Sequence, residues 1–263
     1  MSKIPKEYMI AVDAIVKASI KIMKIYNESF DVEIKSDGSP LTIADIESSK
    51  IIEALLQETQ IPITGEETKK GDYEIRKTWK KSWCVDPLDG TTNFIHGLPS
   101  FGISIALANH QEILCGIVLE PNQNECFWAY KNGGAFLNEN PISVSKTNSI
   151  EAALFATGFP INNHEKITNY LEIAEYLIKN SRGLRRIGSA SIDLVYTAMG
   201  RFDAFYEYNL KPWDVAAGAI IVQESGGSVT DFSGKQNWLY GQTLIASNSK
   251  IHESLLEIIK KTY

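Results

Sequence analysis

The stretch Ser82-Trp83-Cys84-Val85-Asp86-Pro87-Leu88-Asp89-Gly90-Thr91-Thr92 imposes a change of direction on any fold that contains it. Ser82 to Val85 reads as a short apolar strand. Pro87 has no backbone N–H and a fixed φ, which predicts that the strand ends at Asp86-Pro87. Gly90 then permits a tight turn, and Thr91-Thr92 can open a helix. Two carboxylates, the carbonyl of Leu88 and a helix start would converge at one strand end. Carboxylate and carbonyl oxygens suit Mg²⁺, and the N–H groups of a helix start suit phosphate. Aspartates in turns often only accept backbone hydrogen bonds. Here the apolar lead, the proline, the glycine and the paired threonines favour a metal-dependent phosphate site.

The rest of the 263-residue chain falls into two patterns. Tyr8 to Tyr26 has apolar residues at three- and four-residue steps and reads as an amphipathic helix. Lys35 to Pro40 is a loop by composition. Thr42, with Asp45 three residues on, looks like an N-cap opening a helix that runs to about Glu58. A strand at Ile61 to Thr64 leads into Gly65-Glu66-Glu67. Gly102 to Ala108, Ile113 to Leu119 and Glu125 to Tyr130 are strand-like, and Asn132-Gly133-Gly134 is a hairpin signal. From about residue 150, strands and helices alternate, which implies helices covering a sheet. This change of pattern divides the chain into an N-terminal α+β subdomain, 1–147, and a C-terminal α/β subdomain, 148–263. The ligand site is expected in the cleft between them.

Composition narrows the class. Net charge is −6 and no run is strongly basic, so a nucleic-acid polymer is not expected as a partner. A phosphorylated substrate would then need local positive charge, which a divalent cation can supply. Cys84, Cys115 and Cys126 form no C-x-x-C pair and read as buried thiols. No stretch reaches the ~20 apolar residues of a membrane span, and the N-terminus lacks a signal-peptide core. A cytoplasmic enzyme is expected. The four histidines make no H-x-H or H-E-x-x-H pattern, which disfavours zinc, and no G-x-S-x-G marks a nucleophile.

Further acids complete the candidate set. Neighbours in extended structure point opposite ways, so only one of Glu66 and Glu67 should enter a site; Glu66 is the choice. Asp214 follows Lys211-Pro212-Trp213 at a helix start and precedes Val215-Ala216-Ala217-Gly218, small residues that allow close packing. Helix-dipole stabilisation is its plain structural role, and Asp45 has the same two readings. Asp193, flanked by apolar residues, is expected to pair with Arg185 or Arg186 and has no assigned chemistry.

Together these motifs resemble the inositol monophosphatase family of Mg²⁺-dependent, lithium-sensitive phosphatases. That family shares a superfamily with fructose-1,6-bisphosphatase and the bisphosphate nucleotidases. Asp86 to Phe94 is similar to its first signature. Trp213 to Gly218 with Glu224-Ser225-Gly226-Gly227 is similar to the second. The resemblance implies a layered αβαβα sandwich (α/β, or α+β), commonly a homodimer, using two or three Mg²⁺ ions. It implies metal ligation by Glu66, Asp86, the Leu88 carbonyl, Asp89 and Asp214. Catalytic roles fall on Thr91 and Asp45, which would activate water, together with Glu66. It implies phosphate contacts from Gly90 and Thr91, and alcohol contacts from Gly188, Ser189, Ala190 and Glu207, with Asp214 also bordering the substrate. The implied reaction is hydrolysis of a small phosphorylated polyol, inositol 1-phosphate first. Alternatives are a 3′(2′),5′-bisphosphate nucleotide, histidinol phosphate or a sugar phosphate. A non-catalytic phosphometabolite-binding module is a remote one. The Lys35 to Thr42 loop looks closer to the nucleotidase and histidinol-phosphatase relatives. Thr92-Asn93-Phe94 departs from the Lys-Glu-Phe common in bisphosphate nucleotidases.

Overall fold

Ala11, Ile15, Ala18, Ile22 and Ile25 recur on one face of helix α1 (Lys6–Tyr26), and all are buried. The computed structural model describes residues 6–28, 31–35, 40–67, 79–110, 112–159 and 165–263. Ser36 to Ser39 of the Lys35 loop, and the N-terminal residues up to Pro5, lie outside the described residues. Strands β1 (Val32–Ile34) and β2 (Pro40–Thr42) form a small antiparallel pair. Helix α2 (Ile43–Leu56) packs on α1. Its capping box is the expected one: Thr42 Oγ1 accepts the Ala44 N–H at 3.1 Å, and Asp45 Oδ2 accepts the Thr42 N–H at 2.7 Å. A 3₁₀ turn at Gln57–Thr59 ends it.

The first sheet runs in chain order. It comprises β3 (Ile63–Gly65), β4 (Ser82–Asp89), β5 (Gly102–Asn109), β6 (Glu112–Glu120), β7 (Glu125–Tyr130), β8 (Ala135–Leu137) and β9 (Asn140–Pro141). β3 is parallel to β4, and the remaining pairs are antiparallel. A short helix, α3 (Thr91–Ile95), follows β4. The second sheet has the order β11 (Gly183–Arg185), β10 (Leu154–Thr157), β12 (Ala204–Tyr208), β14 (Thr243–Ser247), β13 (Ser228–Thr230). Helices α4 (Ile167–Asn180), α5 (Ala190–Ala198), α6 (Pro212–Glu224) and α7 (His252–Thr262) complete the described fold.

Three apolar clusters separate five layers. Ile103, Ile105 and Leu107 of β5 face α1 and α2. Ala106 and Ala108, on the opposite face of that strand, join Val118, Phe127, α5, α6 and Phe205 of the second sheet. Phe155, Tyr206 and Ile245 turn away from them toward Tyr170 and Leu177 of α4 and Leu255 and Ile259 of α7. The result is the αβαβα sandwich. Helix α6 is buried from Val215 through Val222 because it lies between two sheets, which is why it lacks a polar stripe.

One expectation needs correction. β4 does not end at Asp86-Pro87; it runs to Asp89, and its register with β5 shifts between Asp86 and Asp89. A bulge absorbs the missing proline N–H without terminating the strand. Asp86 Oδ1 accepts the Leu88 N–H at 3.0 Å, and Pro87 O accepts the Ser48 hydroxyl at 2.7 Å. The hairpin at Asn132 to Gly134 forms as expected between β7 and β8. Its N–H groups are capped by Glu224 at the end of α6, at 2.7, 3.1 and 2.9 Å. Glu224 therefore fastens the middle layer to the first sheet.

Two outcomes follow from this packing. A Cβ on Gly116 of β6 would lie 2.7 Å from Ala217 Cα, so Gly116→Ala pushes α6 off the sheet. It should lower the urea-unfolding free energy by roughly 1–3 kcal/mol at unchanged m-value. Buried His252 bonds Ser247 Oγ through Nδ1 (2.8 Å) and Thr230 Oγ1 through Nε2 (2.9 Å). Burial lowers its pKa below 6.5. The unfolded chain therefore takes this proton first. Its stabilising contribution is complete above about pH 6.5 and is lost as pH falls below that. His252→Gln should flatten the stability–pH profile in this window, as read by denaturant melts at successive pH values.

Candidate active site

The bulge of β4 turns Asp86, the Leu88 carbonyl and Asp89 to one strand end, and Gly90 then reverses the chain at φ +88°. A Cβ at Gly90 would approach the Ser100 carbonyl to 3.0 Å, so only glycine fits this turn comfortably. Thr91 Oγ1 lies 2.9 Å from Leu88 O and 3.0 Å from Asp45 Oδ1. The two carboxylates at helix starts each divide their oxygens. Asp45 gives Oδ2 to the Thr42 N–H and Asp214 gives Oδ2 to the Lys211 N–H, both at 2.7 Å. Capping and chemistry are thus compatible, because capping uses one oxygen of two.

A cavity of about 330 Å³ collects these groups. Glu66, Asp86, Asp89, Glu207 and Asp214 line it, with Lys35, Arg186 and Lys211 as cations. Leu88, Gly90, Thr91, Gly188, Ser189 and Ala190 line it too. Every residue given a site role from the sequence therefore borders this one cavity, apart from Asp45, which stands behind Thr91. Glu67 does not line it, in keeping with the alternation that selected Glu66.

The two halves of the chain are tied together across the cavity. Asp89 Oδ2 accepts the Ser189 hydroxyl and the Ser191 N–H, each at 2.7 Å, so it caps α5 from another strand. Asn93 Nδ2 donates to Ser100 O at 2.6 Å and to Ile187 O at 2.9 Å. Glu207 reaches the cavity past Gly158, where a Cβ would fall 2.2 Å from its carboxyl group.

Charge is poorly balanced. Desolvation, then the neighbouring Glu66, Asp89 and Asp214, pushes Asp86 well above the usual carboxylate range. Burial does the same to Asp214, with Asp89 adding to it. Burial also raises Asp89, against the Ser189 and Ser191 hydrogen bonds. Burial and the Asp89 charge bring Glu207 up to about 8. Lys35 is the cation that touches this group: its Nζ donates to Glu66 at 2.8 Å and to Glu67. Burial works to lower the Lys35 pKa, but the Glu66 charge and bonds outweigh it and hold it above its ordinary value. The donor set of carboxylates and a carbonyl fits a hard divalent cation. Among the described residues no three His, Cys, Asp or Glu side chains are gathered closely enough to hold an ion as they stand. Carboxylates without a cation between them repel, and hard-ion sites take carbonyl and water oxygens as well as carboxylates.

Sequence reasoning missed the supporting residues. Ser48, Asn93 and Ser191 act through hydrogen bonds to distant segments, which no local pattern announces. Lys35 carried a signal, as the only lysine in a Ser/Gly/Pro loop before an N-cap. Asp193 makes no ion pair among the described residues: its Oδ1 is buried without a hydrogen-bond partner, and burial with the Glu207 charge keeps its pKa high. The expected pairing with Arg185 or Arg186 is therefore not formed.

Because these folded pKa values lie above those of free carboxylates, the cluster stabilises most at low pH. That contribution is lost as pH rises past about 4 and through the raised values. Mg²⁺ should therefore raise the melting temperature at about pH 7.5 and much less at about pH 5, where the acids hold protons. Asp86→Asn should raise the melting point measured without Mg²⁺ and shrink the Mg²⁺ shift, by differential scanning fluorimetry.

Comparison with known proteins gives a consistent result. The sequence model of the inositol monophosphatase family matches residues 5–262. An inositol-1-monophosphatase of Rhizobium meliloti is 36% identical over 255 residues, 96% of this chain and 95% of that protein. A putative Nus factor SuhB of Neisseria meningitidis is 45% identical over 177 residues, 67% of this chain and 68% of that protein. The solved structure of Bartonella henselae extragenic suppressor protein suhB superposes with TM-score 0.90 at 35% identity, covering 97% of this chain and 99% of that one. The Thermotoga maritima IMPase gives 0.87 at 32% identity, covering 98% of each.

Proposed function

This chain belongs to the inositol monophosphatase family, and we propose that it is a Mg²⁺-dependent phosphatase of small polyol phosphate monoesters, inositol 1-phosphate first among them. The observation that carries this reading is one cavity bordered by five acids and backed by the Thr91–Asp45 pair. Glu66, Asp86 and the Leu88 carbonyl would hold one ion; Asp86, Asp89 and Asp214 would hold a second. Bound Mg²⁺ supplies positive charge to the phosphate and acidifies water.

The chain's own groups then have distinct tasks. Thr91 Oγ1 orients the attacking water, and Asp45, bonded to it, receives the proton. Backbone N–H groups of Gly90 and Thr91 hold the phosphate. Glu207, with Gly188, Ser189 and Ala190, borders the leaving alcohol. Burial holds the Glu207 carboxyl above the usual carboxylate range, which suits it to donating a hydrogen bond to a hydroxyl. Water adds to phosphorus as the ester oxygen leaves and takes up a proton from solvent, giving inorganic phosphate and the free alcohol. The same reading carries a cytoplasmic homodimer, and sedimentation at twice the chain mass checks the second part.

The SuhB relatives favour a second reading, in which the chain serves as a Nus factor. Asp89→Asn separates the two, since a Nus-factor role that survives it does not depend on hydrolysis.

Asp89→Asn removes a ligand charge and should cut turnover in saturating Mg²⁺ by about 100-fold or more. The assay is phosphate release from inositol 1-phosphate, 3′-phosphoadenosine 5′-phosphate, histidinol phosphate and a sugar phosphate. Near-wild-type rates in the variant would refute the ligand assignment. Mg²⁺ binding without phosphate release from any of the four would leave a phosphometabolite-binding module.

A further inference from the structure

A second cavity, of about 260 Å³, adjoins the acid-lined one, and the two share Leu210, Lys211 and Trp213 as walls. It lies between the edge of the first sheet, the first turn of α6 and the approach to β14. Its walls are largely apolar, with Pro212, Trp213, Tyr240 and Cys84 contributing. Thr64 of β3 and Ser82 of β4 face it and are only 6% and 8% exposed. Neither their hydroxyls nor the side-chain amide of Gln242, also on the lining, has a hydrogen-bond partner among the described residues. Lys211 is the one charged residue described on this lining, and it makes no ion pair among the described residues.

We propose that this cavity is a binding site for a single-ring aromatic carboxylate. A benzene-sized molecule fills a dry cavity of about 150 Å³, so this one has room for a ring and a head group. Trp213, Tyr240 and Pro212 suit the ring. Two hydroxyls, an amide and an ammonium together offer donors, which suits an acceptor-only carboxylate.

Such a ligand would act on the neighbouring site. Pro212 and Trp213 are the first two residues of α6, and Asp214 is the third. A ring packed on that turn biases where Asp214 stands. Through linkage, it changes Mg²⁺ affinity by the same factor as Mg²⁺ changes its own. This coupling rests on the proposed metal role of Asp214; the binding site does not.

The test is a ¹⁹F NMR titration of the full chain with 4-fluorobenzoate. The expected result is saturable binding that inorganic phosphate with Mg²⁺ does not displace. Lys211→Gln should weaken it about tenfold, and Thr64→Leu, which fills the cavity, should abolish it. Gln242→Leu, at an exposed position, serves if Thr64→Leu fails to fold, and should also weaken binding. Non-saturable binding, displacement by phosphate with Mg²⁺, or equal affinity for neutral 4-fluorobenzyl alcohol would overturn the site. Calorimetric Mg²⁺ affinity that is the same with and without the probe would overturn the coupling. Intact probe binding in a protein inactive on every phosphate ester would count against the proposed function alone.

Discussion

Mutual repulsion among carboxyl groups that face one cavity is the constraint on which the rest of the structure depends. Glu66, Asp86, Asp89, Glu207 and Asp214 come from both sheets and from the helix layer between them. Left alone they would drive those layers apart. Four of the five are instead held by groups that cannot follow them outward. Asp86 is bonded to its own bulge, Asp89 to the start of α5 and Asp214 to the start of α6. Lys35 is bound to Glu66 and Glu67. One oxygen of a carboxylate bonded to a rigid backbone N–H fixes where the other points, and this builds a polar site from structural bonds.

The middle layer converts that local bonding into a fixed cavity. Helix α6 is apolar on all sides, and Gly116 lets its backbone approach β6 closely. Glu224 at its far end is bonded to the β7–β8 turn. A helix clamped at its far end and packed along its length delivers Asp214 with little freedom. The same first turn separates the acid-lined cavity from the second, more apolar one. Any change on one side of that turn is felt on the other, because interiors at crystal-like density transmit displacement.

The sequence carried much of this. Helical periodicity placed α1, and the Thr42–Asp45 spacing placed the start of α2. Strand-like runs separated by turn residues placed β5 to β7 as a meander; β5 and β6 are apolar on both faces because they lie between two apolar layers. The Asp86 to Thr92 stretch stood out as a candidate cation site because a hard cation needs several oxygens close together, and a short segment can supply three. The end of β4 was misjudged for a physical reason. A proline stops a strand only where its N–H is needed, and a bulge removes that need.

What the chain alone determined was therefore the list of groups and the elements that bear them, since propensity, capping and turn chemistry act over a few residues. Tertiary structure decided which groups meet. The Asp89–Ser191 and Asn93–Ile187 bonds span some hundred residues, and Lys35 reaches Glu66 across thirty-one. No local rule encodes such pairings. They form because three apolar cores stack the layers in one order, and that order brings the β4 bulge, the α5 start and the α6 start to the same place.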